Sequence, residues 1–178
     1  STDAVTRNIE SVAGLLLERE VDTITEVMEK PEHPLVAVIG GAKITDKIEV
    51  LRRLITIADV VVVGGAMANT FLQAKGISIG KSKTEAEELP LAKEIIAEAM
   101  AEQKKRNFVF YLPQYGVVAS KVDRSAPTRI VDWSAHVIAE IESYPKRPAH
   151  DASQVKDDEM ILDIGPFSGA FIAGVIQL

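Results

Sequence analysis

Residues 40–47 carry the side chains best suited to chemistry, because two adjacent glycines are followed by Lys43, Asp46 and Lys47. The backbone N–H groups of a glycine turn and a helix start bind anions, and two ammonium groups add positive charge. Lys43 and Lys47 are four residues apart and would share one helix face. Asp46 could neutralise a lysine or meet a magnesium ion. This spacing predicts a phosphate or other anion site; the alternative is a plain turn with solvated lysines and a first-turn acid.

The elements that must position this turn follow an alternating pattern. Apolar residues 35–39 predict a buried parallel strand, and residues 44–57 predict the helix that the turn opens. Residues 60–63 predict a second strand, followed by Gly64-Gly65-Ala66 and a short helix over 67–74. Small residues at this second turn would let a flat base lie close to the backbone. The alternative is tight packing of the helix on the sheet.

The rest of the chain continues the alternation of helices and strands. The predicted elements are a long helix over 4–30, a helix over 87–103 with a Thr84-x-x-Glu87 capping box, a strand over 108–112, a short strand over 117–119, a helix over 133–142, a strand over 160–164 and a helix from Pro166. Continuously apolar strands between helices indicate an α/β fold: a Rossmann-like, doubly wound parallel sheet, partial, with about four main strands and a long N-terminal helix.

Composition narrows the function classes. The 178 residues are 47% hydrophobic and carry a net charge of -6, which argues for a folded chain and against general nucleic-acid or membrane-surface binding. The absence of cysteine excludes disulfides and thiolate metal sites and agrees with a cytoplasmic location. No apolar run is long enough to span a membrane, and the first residues lack the pattern of a signal peptide.

Other candidate motifs are weaker. Gly80-Lys81-Ser82 suggests a phosphate-binding P-loop, but that motif needs glycine where the chain has Lys75, so we interpret the segment as an ordinary loop. Two tyrosines near the end of the third predicted strand could face a ligand, although aromatic packing at a turn is the alternative. The three histidines lack metal-ligand spacing and are interpreted as ordinary surface residues: His33, His136 and His150.

Several segments together resemble the phosphoglycerate kinase family. Residues 35–47 match its strand and its Gly-Gly-Ala-Lys-x-x-Asp-Lys motif, and residues 62–72 resemble its Gly-Gly-Gly-Met-Ala-x-Thr-Phe segment. Further matches follow in the same order at residues 79–82, 111–113 and 158–166, and residues 13–18 resemble the start of the helix that joins the family's two domains. The resemblance therefore spans nearly the whole chain.

The resemblance implies a glycolytic phosphotransferase that converts 1,3-bisphosphoglycerate and ADP into 3-phosphoglycerate and ATP. By this resemblance Lys43 would be catalytic, stabilising the phosphoryl group in transit. Lys47 would bind the nucleotide phosphates, and Asp46 would lie beside Mg²⁺. Two sets of small residues would surround the nucleotide: Gly40, Gly41 and Ala42 beside it, and Gly64, Gly65 and Ala66 in the adenine pocket. Phosphoryl transfer depends mainly on positioning and charge stabilisation, so lysines, magnesium and helix starts are the expected groups.

The chain also departs from the family pattern. Tyr115 stands where the family's Leu-Pro-x-Asp segment has a carboxylate, and Ala66 replaces the third glycine of the adenine segment. The family's N-terminal substrate domain and its later Gly-Gly-Gly-Asp turn have no counterpart here. The expected organisation is an interdomain-type helix over 1–31 and a partial nucleotide-binding domain over 32–178.

We therefore expect a fragment that binds adenine nucleotide but has little or no activity alone. Self-association through an exposed sheet edge or the N-terminal helix is a further expectation. Two alternatives stay open: a Rossmann-like nucleotide-binding module without turnover, and a purely structural domain fragment.

Overall fold

A computed structural model describes residues 12–134 and 154–177, and the chain divides into two units, Ser1–Glu32 and His33–Leu178. The first unit contains helix α1 (Leu15–Glu29), none of whose residues is buried. Gly14 precedes this helix in an extended conformation, with φ -73° and ψ 157°. The helix predicted over 4–30 therefore starts later within the described residues, and residues 4–11 lie outside them.

The second unit contains the parallel sheet that the sequence predicts. Its strands are β1 (Val36–Gly40), β2 (Val60–Gly64) and β3 (Val109–Tyr111), in the order β1-β2-β3. β1 and β2 pair in parallel from Val36 opposite Val60 to Gly40 opposite Gly64. Val61 and Val63 on one face and Val62 on the other are all buried, as expected for a strand covered on both faces. The α/β class and the positions of these strands are confirmed.

Three helices of the second unit pack around this core. They are α2 (Ile48–Ile57), α3 (Gly65–Ala74) and α4 (Leu89–Gln103), with short 3₁₀ turns at Thr45–Lys47 and Ala86–Glu88. α2 buries Leu51 and Ile55, at the helical spacing of four residues. α4 buries a narrow stripe of small and branched residues: Ala92, Ile95 and Ala99.

A second sheet is antiparallel, and the sequence did not predict it. It consists of β4 (Tyr115–Ala119), β5 (Arg129–Asp132) and β6 (Met160–Ile164) in the order β5-β4-β6, and helix α5 (Pro166–Ile176) follows β6. The placement of residues 160–164 as a fourth strand of the parallel sheet was therefore wrong. Only three residues separate β3 from β4, too few for the crossover that a parallel pairing requires, and β6 pairs with β4 in the antiparallel sheet.

Two helix starts also differ from prediction. The helix after Gly41 begins as the 3₁₀ turn Thr45–Lys47, and Lys47 has φ -131°, which separates this turn from α2. The predicted capping box at Thr84 is wrong, since α4 is preceded by Glu88 without a side-chain cap. The Thr84 hydroxyl instead donates to Gln73 Oε1 of α3, at 2.9 Å.

A loop of residues 79–82, named here the Gly80 loop, connects to the antiparallel sheet. Gly80 has φ +54° and forms an isolated antiparallel bridge with Met160. The Lys81 N–H donates to the Glu159 carbonyl at 2.6 Å, and the Ile161 N–H donates to Ser82 Oγ at 2.8 Å. The interpretation of Gly80-Lys81-Ser82 as a loop rather than a P-loop is confirmed.

An ion pair holds the segment that leads into β6. Arg129 Nε donates to Glu159 Oε1 at 2.8 Å, and the Lys156 N–H donates to Glu159 Oε2 at 2.9 Å. Hydrogen bonding from Arg129, with a smaller contribution from the Lys156 N–H, lowers the pKa of Glu159 from 4.5 to about 2. Glu159 is itself buried, so this pair fixes β5 against the start of β6.

Some sequence predictions lie outside the described residues. These are His136, His150 and most of the helix predicted over 133–142. Within the described ranges, no helix combines the length and apolar character needed to cross a membrane.

Candidate functional site

The two glycine turns lie side by side at the ends of β1 and β2. Gly40 and Gly64 are the last register pair of these strands. The Met67 N–H, in the first turn of α3, donates to the Gly41 carbonyl at 2.9 Å. The two turns predicted from separate sequence motifs therefore form one continuous backbone surface at the carboxyl end of the parallel sheet, where ligands of open α/β sheets bind.

Gly65 has to be glycine for two reasons. Its φ of +66° lies in the left-handed region that favours glycine. A Cβ atom at this position would also lie only 3.0 Å from the Gly41 carbonyl oxygen. The close approach of the two turns thus depends on the missing side chain.

Residues 40–47, named here the lysine turn, bring one of the two predicted lysines onto the glycine surface. A Cβ atom on Gly41 would lie 3.0 Å from Lys47 Cε, so the half-buried Lys47 side chain lies over Gly41. Lys43 and Asp46 are exposed. Lys43 precedes the 3₁₀ turn, so the prediction that it shares a helix face with Lys47 is wrong.

The lysine turn offers backbone donors as well as ammonium groups. Among the residues that the structure describes, none accepts a hydrogen bond from the N–H groups of Ala42 and Lys43. Successive open N–H groups in a turn form a concave site for anions. α3 also begins without a side-chain cap, so its N-terminus adds to the positive potential.

Asp46 has the surroundings that a magnesium-associated carboxylate needs. Within the described ranges its side chain makes no ion pair or hydrogen bond, and no cluster of three or more potential metal ligands occurs there. Mg²⁺ is usually held by one or two carboxylates together with substrate phosphates and water. A single exposed carboxylate beside open N–H groups and lysines fits that donor set.

Glu85 contacts the lysine turn and was missed in the sequence. Its Oε2 accepts a hydrogen bond from the Ile44 N–H at 2.6 Å, across 41 residues of sequence. No local sequence pattern predicts this contact, because its two residues are far apart in the chain. The capping-box spacing pointed to Glu87 instead.

A cleft of about 500 Å³ opens beside the second glycine turn. Gly65, Ala66 and Asn69 of α3 line one side, and Tyr115, Trp133 and Asp163 are among the residues on the other. The Asn69 amide donates to the Lys83 carbonyl at 3.0 Å, which fixes the loop beside the cleft. The cleft therefore joins the predicted adenine residues to side chains of the antiparallel sheet that the sequence did not place there.

Tyr115, the departure from the family's acidic residue, is a packed aromatic. Its ring lies 5.1 Å from the Phe167 ring, measured between centroids, and only 6% of the residue is exposed. The Ser168 hydroxyl accepts from the Tyr115 N–H at 3.2 Å. Tyr111 also packs, with its ring stacked on Phe171 at 4.4 Å. Aromatic packing, the alternative that the sequence left open, thus applies to both tyrosines.

His33 lies away from the glycine turns and has a structural partner. Its Nδ1 is 2.7 Å from Asp59 Oδ2, which also accepts from the Leu35 N–H at 2.7 Å. The His33 hydrogen bond, reinforced by that of Leu35, lowers the pKa of Asp59 below its ordinary value.

Comparisons of sequence and of structure with known proteins all match one family. The profile of the phosphoglycerate kinase family matches residues 1–178. A phosphoglycerate kinase of Moorella thermoacetica is 38% identical over 177 residues, and one of Koribacter versatilis is 41% identical over 167 residues. These alignments cover 99% and 93% of this chain. The solved phosphoglycerate kinase of Coxiella burnetii superposes with a TM-score of 0.72 at 34% identity, over 92% of this chain.

The fold and site define an α/β protein with paired glycine turns at the ends of parallel strands. With the whole chain matched by the profile, the chain belongs to the phosphoglycerate kinase family of phosphotransferases. It spans 39% and 36% of the lengths of the Moorella and Koribacter relatives, and 36% of the Coxiella chain.

Proposed function

We propose that this chain is the nucleotide-binding part of a phosphoglycerate kinase and binds Mg-ADP and Mg-ATP at the paired glycine turns. The observation that carries the proposal is the meeting of the two turns in register, with Lys47 over Gly41. The open N–H groups at Ala42 and Lys43 supply donors suited to phosphate oxygens.

Each polar group of the lysine turn has a role in this proposal. Lys47, held over the glycine backbone, would bind nucleotide phosphates. Lys43, exposed at the mouth of the turn, would stabilise the charge of the phosphoryl group in transit, as expected for a loose transition state. Asp46 would hold Mg²⁺ through its carboxylate or a bound water. The metal, when bound, would neutralise charge on the phosphates.

The cleft beside α3 provides space for the base. Gly65 and Ala66 present little side chain, which lets a planar ring lie against the backbone. Gly40, Gly41, Ala42 and Gly64 would then lie along the path from base to phosphates. Trp133 and Tyr115 add apolar surface on the opposite side of the cleft.

Calorimetric titration with Mg-ADP tests the proposal directly. We expect binding, and about tenfold weaker binding in Lys47→Ala, because one charge-assisted hydrogen bond is lost. Lys93→Ala is the matched control, since Lys93 is an exposed lysine on α4, outside the lysine turn, and it should bind as the unaltered chain does. Equal weakening in both variants, or no binding at millimolar Mg-ADP, would contradict the proposal and leave a purely structural role.

Turnover is a separate question from binding. A coupled assay of ATP formation from ADP and 1,3-bisphosphoglycerate measures it, and we expect no signal from this chain alone. Sustained ATP formation that Lys43→Ala abolishes would overturn that expectation and make the chain an enzyme in its own right.

The remaining expectations concern organisation and location. We propose that residues 1–31 are an interdomain-type segment whose helix is α1, that residues 32–178 are the nucleotide-binding part, and that the protein is cytoplasmic. Exposed apolar residues at the start of α1, such as Leu15 at 84% and Leu16 at 81% exposure, support self-association of this chain. Light scattering over a range of concentrations measures it, and a monomer throughout would refute it.

A further inference from the structure

The lysine turn is held by a contact that its own sequence does not contain. Ile44, which lies between Lys43 and the 3₁₀ turn, is fully buried and serves as the anchor of the segment. Its N–H donates to Glu85 Oε2 at 2.6 Å. A carboxylate at the start of a helical turn is favoured by the positive end of the turn, and a bond to a charged acceptor is stronger than a neutral one.

Glu85 is in turn fixed to the helix that carries the second glycine turn. Its N–H donates to Thr70 Oγ1 at 3.2 Å, and Thr70 is fully buried within α3. The neighbouring Thr84 donates to Gln73 of the same helix. Glu85 therefore connects α3, whose first residues line the cleft, to the turn that carries Lys43 and Lys47.

We propose that Glu85 is a positioning residue for nucleotide binding: it holds the lysine turn at a fixed distance from the N-terminus of α3. The proposal rests on the proposed function of the lysine turn. The carboxylate takes up the Ile44 N–H, and the neighbouring N–H groups of Ala42 and Lys43 stay open within the described residues. Glu85 thereby determines which donors of the turn face a ligand.

Two readouts on the full chain test this role. Amide hydrogen exchange should show that Glu85→Ala speeds exchange at Ile44 by at least tenfold, because the acceptor is lost. Glu85→Gln keeps an acceptor oxygen and should restore most of the protection. The matched control is Glu87→Ala, which removes an exposed carboxylate two residues away and should leave Ile44 unchanged.

Calorimetry with Mg-ADP on the same variants gives the second readout. We expect Glu85→Ala to bind about five- to tenfold more weakly, Glu85→Gln to recover most of the affinity, and Glu87→Ala to match the unaltered chain. Urea unfolding of each variant shows whether the fold is retained. Unchanged exchange at Ile44 in Glu85→Ala would overturn the positioning role, as would equal weakening in the Gln and Ala variants. Absence of binding by the unaltered chain would instead overturn the proposed function, and exchange would then decide the positioning role alone.

Discussion

The lysine turn and the Gly80 loop both combine glycine with lysine, yet their backbone N–H groups differ in whether the protein itself engages them. In the lysine turn, the described residues leave the N–H groups of Ala42 and Lys43 open. In the Gly80 loop, the Lys81 N–H is bonded to Glu159 and the Ser82 N–H to Ile79. A glycine–lysine pair therefore indicates an anion site only where its amides are not already engaged by the protein itself.

Glycine also serves different ends in the two regions. At Gly41 a side chain would meet only the flexible end of Lys47, whereas at Gly80 it would overlap the backbone carbonyls of Glu159 and Lys156. The first glycine accommodates the Lys47 side chain, and the second allows two backbone segments to pack together. Substitutions should therefore separate binding from stability.

The largest effect is expected for Gly80→Ala. The substitution combines a positive φ with overlap against fixed backbone, and we expect a loss of about 4 kcal/mol in the free energy of unfolding, measured in urea. Gly76→Ala is the matched control, because Gly76 also has a positive φ but open space around it, and it should lose only about 1 kcal/mol. Similar losses in both variants would show that packing at Gly80 is not decisive.

A smaller effect is expected when the Arg129–Glu159 pair is broken. Arg129→Met should lower the free energy of unfolding by about 2 kcal/mol at pH 7, since it leaves a buried carboxylate with fewer donors. The pKa of Glu159 is lower in the folded state, about 2 against an ordinary 4.5, so its contribution is complete above about pH 4.5. That contribution is lost as the pH falls towards 2.

The pH dependence of the free energy of unfolding tests the role of Arg129 independently. The free energy of unfolding of the unaltered chain should fall steeply between pH 4.5 and pH 2. For Arg129→Met it should fall less steeply over the same interval. Identical slopes would mean that Arg129 does not set the pKa of Glu159.

Ser82→Ala probes the Gly80 loop more gently. It removes the hydroxyl that accepts from the Ile161 N–H, and we expect a loss of about 1 kcal/mol in urea unfolding. Ser125→Ala is the control, because its hydroxyl bonds only to exposed Asp123, and it should change stability by less than about 0.5 kcal/mol. A larger loss at Ser125 than at Ser82 would contradict the importance of the loop's bond to β6.

The smallest change in stability is expected for Gly41→Ala. The added methyl group meets Lys47 Cε at 3.0 Å, and that flexible side chain can move, so the loss should stay below about 1 kcal/mol. Displacement of Lys47 should nevertheless weaken Mg-ADP binding about fivefold. Gly174→Ala, in α5 with open space around it, should leave binding unchanged. If Gly41→Ala bound Mg-ADP with unaltered affinity, the distinction between a glycine that serves binding and one that serves stability would be wrong.

The parallel half of the fold was predictable because its signals are local. Val60–Val63 form an uninterrupted apolar run bounded by Asp59 and glycine, which is typical of a strand covered on both faces. The turn Gly40-Gly41 is likewise local, and its placement beside Gly64 follows from the parallel register.

The antiparallel half was not predictable in the same way. β5 has four residues, begins with Arg129 and ends with Asp132, so it resembles a polar loop. The other partner of β4 is β6, which is far away in the sequence, and periodicity carries no information about partners. One signal was available: strand residues from Tyr115 follow β3 too closely for a parallel crossover. Glu85 has no such signal, since its contact with Ile44 spans 41 residues.

The register of β1 with β2 has a geometric consequence. Gly40 lies opposite Gly64, so the two turns are spaced by the ladder itself, at the ~4.8 Å that separates neighbouring strands. This spacing is a property of main-chain hydrogen bonds and does not depend on any side chain. The sheet thus sets the separation of Gly40 and Gly64, and side chains such as Glu85 act only on the part of the lysine turn that lies beyond the strand.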